Sequence, residues 1–127
     1  MVEVSIDNAS AVFTLKGADK FWAMKSEIKV QLANIVDFRE QPSPVPGWFQ
    51  GLKLIGTEIP NKFRAGTFYE NGGRVFWDVR RPDKTIVVQL RDESYKKLVV
   101  EVESPASAIR TIKDGIARRR MFRTNAQ

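Results

Sequence analysis

Residues 75–102 read VFWDVRRPDKTIVVQLRDESYKKLVVEV, and three apolar triplets inside them decide the fold. They are Val75/Trp77/Val79, Ile86/Val88/Leu90 and Leu98/Val100/Val102, each at the period-2 spacing of a half-buried strand. With Pro82-Asp83 at the tip of a first hairpin, Val79 faces Ile86, Trp77 faces Val88 and Val75 faces Leu90. With a second turn centred on Ser94, Leu90 faces Leu98, Val88 faces Val100 and Ile86 faces Val102. Both registers put all nine side chains on one face, and a one-residue slip in either would break the agreement. The expectation is an antiparallel meander with Trp77 in its core.

The other face of that meander would carry Phe76, Val87 and Val99 among Asp78, Arg80, Gln89, Glu101 and Glu103. Three apolar side chains on a polar face make a candidate contact patch for another subunit. Asp78 falls on the same face near Arg80, where a solvated ion pair is expected.

Upstream, Val2, Val4 and Ile6 alternate with polar residues as a first strand, Asp7-Asn8 is a turn signal, and Val12–Lys16 reads as a second strand. Asp19 can cap a short helix through Lys25. Ile28, Val30 and Leu32 mark a third strand, and residues 35–39 a fourth. Pro42, Pro44, Pro46 and Gly47 exclude a central strand from 41–51, and that connection ends in Trp48-Phe49. Those two rings are expected to plug the mouth of the fold; exposed, they would anchor a partner or enter a headgroup layer. Phe63–Tyr69 is extended, and Asn71-Gly72 is a hairpin tip that sets Gly66 opposite Trp77.

Downstream, Ser104 suits an N-cap and Pro105 the first helical position. Ala108, Ile109, Ile112 and Ile116 form one apolar stripe, while Gly115 should weaken the helix near its end. The expected organisation is one domain over 1–117 with a capping helix near 105–118, followed by a basic, frayed tail at 118–127.

These features resemble the pleckstrin-homology (PH) barrel, and more narrowly small bacterial proteins with PH-like domains. The resemblance is carried by Gly66-Thr67-Phe68-Tyr69, by Arg74 through Arg80, by Leu98 through Pro105, and by Phe21-Trp22-Ala23-Met24 ahead of the Ile28/Val30 strand. It implies a mostly β (α+β) fold, a barrel of about seven antiparallel strands with a short helix near 19–25 and the terminal cap. It also implies self-assembly, as in some bacterial members, and it hands over no catalytic residues. The last helix has no tryptophan where eukaryotic PH domains carry one.

Composition narrows the chemistry. The 127 residues contain no histidine and no cysteine, which removes the usual neutral-pH base, the thiolate nucleophile and the commonest metal ligands. No phosphate loop, nucleophile elbow or calcium-loop pattern occurs. The expectation is therefore no enzyme, no catalytic residue, no cofactor and no metal. The net charge of +6 is concentrated: residues 1–50 hold five cations against six acids, and four of the positives are Arg118, Arg119, Arg120 and Arg123. That cluster is the candidate anion-binding element. The start of the chain lacks a signal-peptide pattern and no apolar run approaches the ~20 residues of a spanning helix, so a cytoplasmic protein is expected.

Two roles follow. One is a non-enzymatic protein-interaction or self-association module, a homo-oligomer or the binder of a protein partner, using Phe76, Val87, Val99, Trp48 and Phe49. The other is a peripheral binder of an anionic membrane surface or other polyanion through Arg118–Arg123, with anionic lipid favoured over nucleic acid.

Overall fold

The computed structural model describes residues 1–41, 52–59 and 63–125. Nine strands and two α-helices fall in the order β1 (Val2–Asp7), β2 (Ser10–Leu15), α1 (Asp19–Trp22), β3 (Glu27–Gln31), β4 (Ile35–Glu40), β5 (Leu52–Ile59), β6 (Phe63–Glu70), β7 (Gly73–Val79), β8 (Thr85–Leu90), β9 (Lys97–Glu101) and α2 (Pro105–Asn125). The mostly β class stands. The strands form a three-stranded sheet, β1-β2-β3, and a six-stranded sheet, β4-β8-β9-β7-β6-β5. Among the described residues neither sheet closes on itself, so the architecture is two sheets and a terminal helix rather than a closed seven-stranded barrel. A parallel bridge between Val2 and Val102 joins the sheets.

Local turn chemistry placed several elements as expected. Asn8 takes φ 56° at the β1–β2 reversal, and Asn71 and Gly72 take φ 49° and 83° at the β6–β7 tip. Positive φ at both central residues matches the strand twist of a tight hairpin, and asparagine and glycine tolerate it best. Gly66 lies opposite Trp77, and on its other side opposite Gly56. A Cβ on Gly56 would come within 2.1 Å of the Ala65 carbonyl oxygen, so that crossing tolerates only glycine.

The meander is where expectation and structure part. β7 does not pair with β8. β9 is inserted between them, parallel to β7 (Phe76↔Leu98, Trp77↔Val99) and antiparallel to β8 (Val88↔Leu98, Ile86↔Val100). The β8–β9 register differs from the expected one by two residues, which leaves the faces unchanged. The β7–β8 error does change them. Pro82–Lys84 is a 3-10 turn that carries the chain across, not a hairpin tip. Glu101 explains how: its buried carboxylate oxygen Oε1 accepts the backbone N–H groups of Arg80 at 2.9 Å and Arg81 at 2.8 Å. The donors just past β7 are thus satisfied by the end of β9, and β8 is free to lie one strand further out.

Both faces of β7, β8 and β9 are consequently buried. Phe76, Ile86, Val88, Leu98 and Val100 belong to the main core, with Phe13, Ile28 and Val30 of the small sheet and Ile112 of α2. Val75, Trp77 and Val79 pack instead with Phe68, Val87 and Val99 in a second cluster. The buried Arg64 guanidinium lies over that cluster, 4.0 Å from the Phe68 ring centroid and 4.8 Å from that of Trp77.

The last helix is longer than expected. Ser104 Oγ accepts the Ser107 N–H at 3.3 Å, a side-chain cap at the predicted place. The helix then runs to Asn125, past the expected end near 118. Gly115 is buried where α2 meets β1. A Cβ there would sit 2.9 Å from Ile6 Cδ1. Among the described residues, no helix is long and apolar enough to cross a membrane.

Candidate anion-binding groove

The C-terminal half of α2 passes over β4 and the 3-10 turn at Leu32–Asn34 that precedes it. That turn is fixed from below. Glu93 Oε2 accepts the Gln31 backbone N–H at 3.0 Å and Asn34 Nδ2–H at 2.8 Å, and the Arg91 N–H donates to the Asn34 carbonyl at 2.9 Å. β4 is the outer strand of its sheet and is bulged between Ile35 and Asp37, which turns Val36 outward at 60% exposure. Helix and strand therefore diverge, leaving a cavity of about 580 Å³.

Its walls divide by chemistry. Leu32, Ile35, Val36, Phe38, Ile116 and Ala117 supply an apolar floor. Arg91, Lys113, Arg119 and Arg120 supply the polar side chains, and all four are cations. Lys113, Ile116, Ala117 and Arg120 follow the i, i+3, i+4, i+7 spacing of one helix face. Arg91 is steered by an Nη2–H bond to the Ala33 carbonyl at 3.3 Å. Among the described residues no carboxylate lines the cavity.

The residues singled out from sequence scatter. Arg119 and Arg120 enter the groove; Arg118 is exposed outside it, and the Arg123 side chain lies outside the described residues. Trp48 and Phe49 also lie outside them. The subunit patch does not exist as drawn. Phe76 is 1% exposed and in the main core, while Val87 and Val99, 4% and 2% exposed, belong to the opposite cluster. The reason is the β9 insertion, which gives both faces of these strands an apolar neighbour. Arg91 and Lys113 were not foreseen: Lys113 reaches the groove by helical spacing from Arg120, whereas Arg91 is brought beside the helix only by the folded turn at 32–34.

Asp78 also departs from its expected role. It is 1% exposed, on the main-core face, where Met1 of β1's leading end donates its amino N–H to Asp78 Oδ2 at 3.1 Å and also to Asp19. Burial pushes the Asp78 carboxyl up to about 7; the Met1 amino charge opposes that shift and the Asp19 charge adds to it. The Met1 amino group is itself raised above its ordinary value: burial lowers it, but the Asp19 hydrogen bond and the Asp78 charge outweigh that. Arg80 stands 3.7 Å from Asp19 rather than pairing with Asp78. Among the described residues, no three Asp, Glu, His or Cys side chains converge as a metal site would need.

Comparison with protein-family models, curated proteins and solved structures finds no match for this chain.

Proposed function

We propose that this chain is a non-enzymatic binding module that takes an anionic partner in the groove between α2 and β4. The observation that carries the reading is the lining itself: among the described residues, four cations and no acid around a concave, partly apolar surface. A concave surface lined by charges of one sign concentrates a positive field that attracts an anion. The absence of histidine and cysteine supports a binding role over a catalytic one. The likeness to pleckstrin-homology proteins belongs to this reading through the mostly β fold and terminal helix alone. Self-association through Phe76, Val87 and Val99 has no comparable support, since one chain already buries them.

Heparin binding followed by titration with salt tests the reading. Retention is expected to fall steeply with ionic strength, roughly as the number of contacts released. Arg91→Glu with Arg119→Glu should abolish it, while Arg118→Glu, outside the groove, should change it little. Equal losses in the two variants would show that diffuse charge on the helix end, and not the groove, does the binding.

A further inference from the structure

We infer that the groove accommodates a single-chain anionic amphiphile, an alkyl carboxylate, sulfate or phosphate, with its head among the cations and its tail along the apolar floor. The inference rests on the anion reading above and narrows it to one ligand chemistry.

The lining argues for this class by what it lacks. Among the described residues its side chains are either hydrocarbon or cationic; no Ser, Thr, Asn, Gln, Tyr, Asp or Glu of these contributes. A peptide would bring an N–H and a C=O for every residue, and a nucleotide or sugar would bring further donors and acceptors. Each such group left unpaired on burial costs free energy. An alkyl chain asks for nothing along its length. Its head needs charge-assisted donors, and the Arg91 and Arg119 guanidinium groups and the Lys113 ammonium line the groove to supply them.

Shape agrees with the chemistry. About 580 Å³ lies within the usual range of small-ligand cavities. Phe38, Ile35 and Ile116 are partly buried and pack on the main core, so the floor is anchored rather than loose. Val36, held outward by the β4 bulge, extends that floor at the cavity's edge. A flat membrane surface would meet the exposed Arg118 side of the helix, whereas Arg119 is half-buried in the groove and Arg91 is tied to a carbonyl at its base.

Titration calorimetry of the full chain with octyl phosphate, kept below micelle formation, tests the inference against four other probes. Inorganic phosphate has the head alone and octyl glucoside the tail alone. A Glu-Val alternating octapeptide and vesicles of phosphatidylcholine with phosphatidylserine complete the set. Octyl phosphate should bind at least about tenfold more tightly than either half-ligand, because tail burial and head pairing each contribute more than ~1.4 kcal/mol. Val36→Glu and Arg119→Glu should each weaken it about tenfold while leaving the thermal midpoint in place, both side chains being at the surface or groove edge. Phosphate binding as tightly as octyl phosphate would overturn the amphiphile and leave the anion reading standing. Octyl glucoside binding equally well would overturn both. Tighter binding of the octapeptide, or binding to vesicles alone, would replace the single-chain ligand by a peptide or a membrane. No binding of any probe would remove the site.

Discussion

The two faces of the six-stranded sheet are built from the same four strands, β6 to β9, and differ in kind. One meets a second sheet and α2, and its side chains are hydrocarbon packed on hydrocarbon. The other gathers Phe68, Val75, Trp77, Val79, Val87 and Val99 beneath a buried arginine. The difference teaches that alternation reports which residues share a face, but not which face is inside. Where apolar residues occupy both phases of a strand, as in Phe76-Trp77, Val87-Val88 and Val99-Val100, both can be interior.

The sharpest way to break this comparison is at neighbouring residues of β7. Phe76→Glu should yield no folded monomer, because an uncompensated charge would enter the main core at a cost of several kcal/mol. Trp77→Ala should cost about 3–5 kcal/mol in urea unfolding, as for other buried aromatics. If Phe76→Glu instead folds and only changes the size-exclusion mass, the face holding Phe76 is an outer one and the assignment of faces is reversed.

The second test concerns the polar end of the main-core face. Asp78 titrates near 7 when folded and near its ordinary value when unfolded. Between roughly pH 4 and pH 7 the folded state therefore holds a proton that the unfolded chain has released, and stability falls as pH rises through that window. The raised Met1 amino group acts in the same direction at higher pH, stabilising below its unfolded pKa and losing that contribution as pH rises past its folded one. Asp78→Asn should flatten the decline and leave the protein about 1–3 kcal/mol more stable than the parent at pH 8. Urea midpoints from pH 4 to 8 check this; parallel profiles for the two proteins would show that Asp78 does not change its proton affinity on folding.

The smallest effect belongs to the second face. Arg64→Met keeps an apolar stem over Phe68 and Trp77 and removes the cation, so a loss of about 1–2 kcal/mol is expected. A gain in stability on this substitution would mean that desolvating the guanidinium outweighs its stacking.

What was legible in the sequence was local. Asn71-Gly72 dictated a tip, the tip dictated that Gly66 meets Trp77, and Ser104-Pro105 dictated where the last helix starts. What was not legible depended on groups far apart in the chain. Nothing near Pro82 announces that the carboxylate of Glu101 will take the N–H groups of Arg80 and Arg81 and divert β8 outward. The same holds for the groove. Arg119 and Arg120 stand out as part of a basic run and Lys113 shares a helix face with Arg120, but Arg91 joins them only through the fold around the Glu93-clamped turn at 32–34. Asp78 was misread for the same reason as Phe76: both sit in the phase taken as solvent-facing.

The bridge between Val2 and Val102 carries a consequence for how the molecule forms. During synthesis the first hairpin can close early, yet its docking partner leaves the ribosome a hundred residues later. The early sheet must wait with Phe13 and Val30 uncovered until β9 is complete. Such distant closure slows folding and leaves an interval open to intermolecular association.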